Sequence, residues 1–380
     1  MMRKQAAIRA SQDTVKVSHW DEPATVTLSW TCDESLEVEV RVDAPDGPLL
    51  CRAGGPGTAA TGKWVQDGMT FYLQDVTGGK PLEPAHTLAT TTLTLATAGE
   101  GPRGVILMYH RIAEEPWDPW SLCVSARHFA EHLEVLARLK VALPLSALRT
   151  ALEQGSLPDR AAAVTFDDGY ADNCLGAMPL LEQSGIPATV FVAGGYLGDP
   201  RGYWWDELEQ LLSQDGAADP DLYFEMHGWL RSLPLDRCRN CLGRLRRWMR
   251  AEPAARADRR PLSAEELRLL ADSPLIDIGA HTLTHPLLDA LPAAEQVAEI
   301  QECKRVLEET LNRAVKHFAY PYGACGPETP GLVAAAGFEC ACLASGGVFS
   351  ADADLFRLPR MQVRDWDGAG FSRHLIRWLG

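Results

Sequence analysis

The sequence of 380 residues has few features that would place it in a membrane. It lacks any run of the roughly 18 consecutive apolar residues that a transmembrane helix needs, so we expect no membrane-spanning segment. Residues 1–16 carry early positive charge but neither an apolar core nor a small-residue cleavage site, so no signal peptide is predicted. The expected location is therefore cytoplasmic.

Basic residues are also fewer than acidic ones. Lys and Arg number 36 against 51 Asp and Glu, which gives a formal net charge of −15 at pH 7. A chain this acidic repels phosphate backbones, so we expect no nucleic acid partner. Apolar residues make up 46% of the chain and charged residues 23%, which is typical of a globular protein and excludes a disordered one.

Cysteine pairs at metal-binding or redox spacing are scarce. Of the ten cysteines, only Cys238 and Cys241 form a Cys-x-x-Cys pair. No second pair follows nearby, and the surrounding sequence is Arg-rich and helical rather than thioredoxin-like. We therefore expect reduced thiols that pack as small apolar side chains.

The periodicity of the sequence changes near residue 100. Residues 1–98 alternate apolar with polar side chains over short stretches, which predicts a small antiparallel β-sandwich, and residues 99–104 are predicted to be a linker. In residues 105–380 apolar runs alternate with helical patterns. This predicts an α/β domain of parallel strands covered by helices, either a barrel or a doubly wound sheet. Residues 196–262 interrupt the alternation and are predicted to be a helical insertion.

Four polar clusters each follow a predicted strand of the α/β domain. They are residues 109–111, 165–169, 279–286 and 320–323. In parallel α/β folds the reactive groups collect where strands end, so these clusters are expected to meet in one cleft.

Two of the clusters carry a candidate metal site. His281 and His285 lie four residues apart, one turn if the segment is helical, so both imidazoles could face one ion. Asp167 and Asp168 are adjacent and point their side chains in different directions, so one can bind a metal while the other remains a base. Two histidines and one carboxylate leave positions open for water, which is typical of a catalytic divalent metal site.

These residues carry a resemblance to a known family. Residues 165–170 (Thr-Phe-Asp-Asp-Gly-Tyr) and 281–285 (His-Thr-Leu-Thr-His) resemble the first two motifs of the polysaccharide deacetylase family, defined by the NodB homology domain. Residues 320–323 resemble its third motif. The resemblance covers roughly residues 104–380 and implies a distorted (β/α)7-type barrel.

The resemblance also implies roles for individual residues. Asp168, His281 and His285 would bind one divalent metal ion, most simply zinc, with cobalt, nickel or iron also accepted by such a site. Asp167 would be the general base for attack on an amide carbonyl by a water whose pKa the metal lowers. The backbone N–H of Tyr322 would stabilise the developing oxyanion.

The motifs do not identify the general acid as clearly as the metal ligands. The Leu-x-His motif that usually supplies it has no clean copy here, and His374 is expected to be a surface residue. His110, in Met108-Tyr-His-Arg-Ile112, resembles the acid histidine of the permuted, poly-N-acetylglucosamine deacetylase-like members. A histidine that merely hydrogen-bonds at the end of a strand is the alternative.

Other residues are candidates for binding substrate. Tyr320 stands where the third motif usually has arginine, so Arg360 or Arg364 is expected to pair with Asp167 instead. Arg364 and Trp366 are candidates because residues 364–366 loosely match the fourth motif of the family. Pro321, Trp204 and Trp205 are candidates because their side chains could contact a sugar ring. For Trp204 and Trp205, anchoring of the insertion is the alternative.

The function expected from these residues is metal-dependent removal of an N-acetyl group from an amino sugar in a glycan, a glycolipid precursor or a glycosylated metabolite. A deformylase or another amide hydrolase acting on a sugar, and a glycan-binding protein without turnover, are the alternatives. A non-haem iron oxygenase shares the two-histidine, one-carboxylate set but normally has an antiparallel barrel and a His-x-Asp spacing. The expected partner is a carbohydrate, and no oligomeric state is predicted.

Overall fold

The computed structural model describes residues 6–11, 14–17, 24–62, 64–65, 68–97, 102–213, 219–251 and 259–380. The chain divides into two compact units, residues 1–100 and 101–380. Residues 99–101 of the predicted linker and parts of the predicted insertion lie outside the described residues, and Gly104, the last residue of that linker, already begins a strand. No helix in the described ranges is both long and apolar enough to cross a bilayer.

The first unit is built from β-strands. One sheet has the strand order β1-β3-β6 and another the order β5-β4-β7-β8, and all pairs within both sheets are antiparallel. The antiparallel sheets expected from the sequence are confirmed, but a third sheet, β2-β9, is a parallel pair. The strands are β1 Ala7–Ala10, β2 Thr14–Val17, β3 Thr27–Thr31, β4 Glu37–Val42, β5 Leu49–Gly54, β6 Gly57–Ala60, β7 Thr70–Asp75, β8 Thr87–Thr92 and β9 Thr94–Thr97.

Alternation of apolar and polar residues explains the core of this unit. In β3, Leu28 and Trp30 are buried while their neighbours in the strand are exposed. The indole N–H of Trp30 donates to the carbonyl of Gly55 at 3.0 Å, so burial of this large side chain leaves no polar atom unsatisfied.

The second unit contains a curled, seven-stranded parallel sheet with the order β17-β16-β15-β14-β13-β10-β18. Every pair within it is parallel, which confirms the α/β fold and the distorted barrel that the resemblance implies. A small pair, β11-β12, lies outside this sheet. The strands are β10 Gly104–Tyr109, β11 Arg111–Ile112, β12 Cys123–Val124, β13 Ala161–Phe166, β14 Ala188–Val192, β15 Ile276–Ala280, β16 His317–Ala319, β17 Cys340–Cys342 and β18 Met361–Gln362.

Helices cover this sheet because its central strands are mostly apolar and must be buried on both faces. Every residue of β10, β13 and β14 is buried, as expected for strands with helices packed on them. The helices are α1 Ala126–Leu139, α2 Leu145–Glu153, α3 Met178–Ser184, α7 Ala264–Asp272, α8 Ala293–Leu311, α9 Thr329–Ala335 and α10 Gly368–Leu379. Between β14 and α7, in the region of the predicted insertion, lie α4 Trp204–Leu212, α5 Pro220–Leu230 and α6 Leu235–Met249.

A buried histidine joins α1 to α10. The side chain of His132 is fully buried and stacks on Phe371, with ring centroids 4.2 Å apart. Its Nε2 is 2.7 Å from the carbonyl oxygen of Trp366, which can only accept, so Nε2 carries the proton. Nδ1 then accepts from the hydroxyl of Tyr109 at 3.2 Å. Burial lowers the pKa of His132 to about 4, so the ring is neutral in the folded protein.

We expect His132→Gln to reduce the sensitivity of the fold to acid. The unfolded histidine protonates below about pH 6.5, whereas the folded one resists until about pH 4, so its contribution to the free energy of unfolding is lost as pH falls between these values. The variant should lower the slope of unfolding free energy against pH by up to about 1.4 kcal/mol per pH unit in this window. Urea denaturation at a series of pH values measures it. An unchanged slope would contradict a neutral buried ring.

Candidate active site

The sheet brings the four polar clusters to one edge. β10, β13, β15 and β16 all end there, and β10 and β13 are paired so that Tyr109 faces Phe166. His110 and Asp167 therefore follow neighbouring strands, and the backbone N–H of Asp167 donates to the carbonyl of Tyr109 at 3.0 Å. On the other side of the site, Ala280 of β15 pairs with Phe318 of β16. The convergence expected from the sequence follows from parallel pairing alone.

Asp168, His281 and His285 form a buried cluster of possible metal ligands. One ligand atom from each lies within 4.8 Å of the others. Oδ1 of Asp168 is 3.3 Å from Nε2 of His285 and 3.6 Å from Nε2 of His281. The same three residues were predicted from their spacing and from the resemblance.

The two histidines converge through a turn rather than a helix. The structure has no helix between β15 and Leu288, where a helical turn was one way to bring the rings together. Thr282 and His285 adopt positive φ values of 62° and 60°, and the Thr282 hydroxyl accepts from the N–H of His285 at 3.0 Å. Left-handed backbone costs a residue with a side chain about 1–2 kcal/mol, so the surrounding contacts must hold this turn.

The donor atoms suit a divalent cation. Nδ1 of His281 is 2.8 Å from the carbonyl oxygen of Ala319, so Nδ1 carries the proton and the lone pair of Nε2 is free to bind a cation. Burial lowers the pKa of His281 to about 4, which keeps the ring neutral, as a ligand must be. Nδ1 of His285 is buried without a hydrogen-bond partner among the described residues. Two neutral imidazoles and a carboxylate are a donor set that zinc and similar metals accept.

Asp167 is held by a buried arginine that lies far away in sequence. Both carboxylate oxygens of Asp167 accept from Arg360, at 2.7 Å from Nη1 and 2.6 Å from Nη2. Nε of Arg360 donates to the carbonyl of Leu343 at 2.7 Å, and the guanidinium is fully buried. Burial alone would raise the pKa of Asp167, but the charge and hydrogen bonds of Arg360 outweigh it and hold the pKa far below its usual range. Of the two arginines that the sequence offered, the structure selects Arg360.

His110 lies beside both aspartates at the end of β10. Its ring is half-buried and lies within electrostatic range of both carboxylates. Its carbonyl accepts from the side-chain amide of Asn173 at 2.9 Å. The structure therefore brings the imidazole of His110 to the same strand ends as the two aspartates.

The segment after β16 contributes Tyr322 but not Tyr320. Tyr322 has φ 58°, and its ring lies 4.7 Å from that of His285. Its buried hydroxyl has no hydrogen-bond partner among the described residues. Tyr320, predicted as a substrate-binding residue, is instead fully buried and donates its hydroxyl to the carbonyl of Phe356 at 3.0 Å. Pro321 is also buried, so neither side chain offers a surface to substrate.

Trp204 and Trp205 pack in the core of the insertion and do not line the site. Both are buried in an aromatic core with Tyr203 and Tyr223. The ring of Trp205 lies 4.7 Å from that of His285, and its N–H donates to the hydroxyl of Tyr170 at 2.8 Å. The alternative in which the two tryptophans anchor the insertion fits this burial better than a stacking wall for a sugar.

Arg364 and Trp366 do not join the site. Arg364 is exposed, and within the described ranges it makes no ion pair. Trp366 stacks on His374 at 4.0 Å, and its carbonyl accepts from His132. Trp366 packs against α10 and Arg364 is exposed, so the structure brings neither side chain into contact with Asp167, Asp168 or the two histidines.

Two further contacts come from the insertion and had no signal in the sequence. The hydroxyl of Tyr203 donates to the carbonyl of Asp168 at 2.9 Å, which ties the metal-ligand loop to the start of α4. His227 of α5 is buried, and its ring lies 6.1 Å from that of Tyr322. Burial lowers the pKa of His227 to about 4. These contacts join the insertion to the segments that follow β13 and β16, and no local pattern in the sequence shows them.

Comparison with known proteins is consistent with this geometry. Residues 154–341 match the family model described as polysaccharide deacetylase. The putative polysaccharide deacetylase YxkH of Bacillus subtilis is 21% identical over 273 residues, which cover 71% of this chain and 75% of that protein.

Two solved structures share the fold. The Streptococcus pyogenes deacetylase PplD in complex with acetate is 19% identical, with 74% of this chain and 100% of that one covered and a TM-score of 0.52. IcaB from Ammonifex degensii is also 19% identical, with coverages of 74% and 99% and a TM-score of 0.51. At these identities the likeness establishes the fold of the second unit.

Proposed function

We propose, because the chain belongs to the polysaccharide deacetylase family, that it is a metal-dependent hydrolase that removes an N-acetyl group from an amino sugar in a glycan or glycoconjugate. One observation carries the proposal. An aspartate held ionised by a buried arginine lies beside an Asp-His-His cluster, with Oδ2 of Asp167 3.9 Å from Nε2 of His281. A carboxylate that binds no metal but faces the metal ligands is what hydrolysis requires and what ligand binding alone does not.

Asp168, His281 and His285 would hold the cation. When bound, a divalent ion supplies Lewis acidity, which polarises an amide carbonyl and makes water a better nucleophile at neutral pH. Asp168 supplies the negative charge of the cluster, while the hydrogen bond from His281 to Ala319 orients one imidazole. Zinc is our first choice, with cobalt, nickel and iron as alternatives that the same donor set accepts.

The remaining residues handle protons and charge. Asp167 would accept a proton from the attacking water, because Arg360 occupies only part of the hydrogen-bonding capacity of its two oxygens. His110 would donate a proton to the departing amine from the adjacent strand end. The backbone N–H of Tyr322 would stabilise the negative charge that develops on the carbonyl oxygen.

The activity is tested by measuring acetate release from a panel of N-acetylated mono- and oligosaccharides. We expect release by the protein loaded with Zn²⁺ or Co²⁺, its loss after chelation, and its return when metal is restored. The control is His281→Ala, which should lose both metal and activity. N-formyl substrates are included in the panel. Release of formate alone would show that the group removed is formyl rather than acetyl. Binding of oligosaccharide without release of either acid would contradict a hydrolase.

His110→Asn is expected to lower kcat by about 10²-fold, because protonation of the leaving amine is lost. The defect should be smaller for an N-acetyl substrate with a weakly basic leaving group, since such an amine departs without a proton. The matched control is His374→Asn, which removes the histidine that stacks on Trp366. Kinetics of both variants on the two substrate types measure the effect. A larger loss in His374→Asn would assign the acid elsewhere.

A further inference from the structure

The helices α5 and α6 of the insertion expose large apolar side chains on one surface. A groove of about 330 Å³ is lined mostly by apolar residues of both helices, among them Met226 and Leu245. Trp229 and Trp248, which also line the groove, are 53% and 82% exposed. We call this groove and its two tryptophans, together with Arg244 and the adjacent Arg247, the α5–α6 face.

Trp248 is the most exposed of the large apolar side chains in the described part of the chain. Trp204 and Trp205, only two dozen residues before Trp229, are buried, as large aromatic side chains usually are. Single exposed apolar residues need no explanation, but a contiguous apolar groove flanked by two exposed indoles marks a surface that contacts something else.

The charge on α6 is opposite to that of the chain. α6 contains five arginines against one acidic residue, whereas the formal net charge of the protein is −15. Arg239 and Arg246 are engaged in ion pairs with Asp199 and Glu207. Arg244 and Arg247 are exposed and have no carboxylate partner in the described part of the chain. Trp248 is therefore flanked by uncompensated positive charge.

We propose that the α5–α6 face docks onto the surface of an anionic lipid bilayer. Indole rings are favoured at the boundary between headgroups and acyl chains, because one edge is apolar and the N–H remains solvated. Arginine stems bury against apolar surface while the guanidinium reaches lipid phosphates. The groove supplies apolar area and Arg244 and Arg247 supply the attraction to negative charge, which is the combination that interfacial binding needs. This inference does not depend on the proposed hydrolase activity.

The test is cosedimentation of the full chain with vesicles of phosphatidylcholine alone and of phosphatidylcholine mixed with phosphatidylglycerol. We expect binding to the mixed vesicles, weakening as NaCl is raised, and little binding to the neutral ones. Equal binding to both kinds of vesicle, or to neither, would overturn the proposal.

Two pairs of variants locate the contact. Arg244→Gln/Arg247→Gln is expected to weaken partitioning by about fivefold for each arginine removed. Its control is Arg138→Gln/Lys140→Gln, which removes two exposed charges at the end of α1. Trp229→Ala/Trp248→Ala is expected to weaken binding by about tenfold or more through lost apolar contact. Its control is Leu269→Ala/Ile376→Ala, which removes apolar side chains that are 52% and 50% exposed elsewhere.

Other outcomes would assign the face differently. Losses of equal size in the variants and their controls would show that binding does not use the α5–α6 face. Sedimentation velocity without vesicles tests self-association. A concentration-dependent dimer that Trp248→Ala abolishes would replace the bilayer by a second copy of the chain. Because the four substituted side chains on the face are exposed, thermal unfolding should stay unchanged, so lost binding cannot be attributed to lost folding.

Discussion

Asp167→Asn is expected to lower kcat of the metal-loaded protein by about 10³-fold while the metal stays bound. Asparagine cannot accept the proton that the attacking water must lose, but Asp168, His281 and His285 keep their donor atoms. The measurement is acetate release at saturating substrate, together with metal content by atomic absorption. Loss of metal along with activity would instead make Asp167 a ligand.

The same substitution also affects the neighbouring arginine, which the experiment must take into account. Arg360 is fully buried and would lose its counter-charge in Asp167→Asn. The control is Asp167→Glu, which keeps the charge but displaces it by one methylene. We expect it to stay folded and to retain more activity than Asp167→Asn. Equal activity in wild type and Asp167→Asn would remove this residue from the mechanism.

Arg360→Leu is expected to destabilise the fold by about 3–5 kcal/mol, because it leaves the carboxylate of Asp167 buried and unpaired. Urea denaturation of the variant and the wild type measures the change. The control is Arg305→Leu on α8, which breaks exposed ion pairs with Glu302 and Glu309 and should change stability by about 1 kcal/mol or less.

A double substitution distinguishes a broken ion pair from lost packing. In Arg360→Leu/Asp167→Leu no buried charge remains, so the destabilisation should be much smaller than the sum for the two single variants. Additive effects would show that the arginine acts through packing rather than through its charge.

The pH profile of Arg360→Leu gives a separate readout. Arg360 is the main charge that lowers the pKa of Asp167 against the effect of burial, so its removal should raise that pKa. The acidic limb of the activity profile should then move to higher pH. A profile that keeps its shape at reduced amplitude would indicate that the arginine affects only the folded fraction.

Local pattern was sufficient to bring together the proposed metal ligands and the proposed base. Asp167 and Asp168 directly follow β13, whose residues are all buried, and His281 directly follows β15. Parallel strands place their ends at one edge whatever the rest of the chain does, so residues at those positions are expected to meet. The sequence could not show that a turn with positive φ at Thr282, not a helix, aims His285 at Asp168.

The partner of Asp167 and the direction of the Tyr320 side chain depended on contacts between distant parts of the chain, which no local pattern shows. Arg360 lies just before β18, which pairs with β10 at one edge of the sheet. β10 and β18 lie on one side of β13, and β15, which the histidines follow, lies on the other side. Tyr320 occupies a motif position but points into the core, where Phe356 accepts its hydroxyl. A motif match specifies the backbone position of a residue, but not the direction of its side chain.

The sequence by itself determined the strand ends that carry Asp167, Asp168, His281 and His285, together with the β-rich character of the first unit. These features depend on period-two and all-apolar patterns, which act over a few residues. Only the tertiary structure decided that Arg360 pairs with Asp167 and that Tyr203 and His227 of the insertion contact Asp168 and Tyr322. Such contacts join residues far apart in the chain, and whether they form depends on how whole elements pack rather than on the residues beside them.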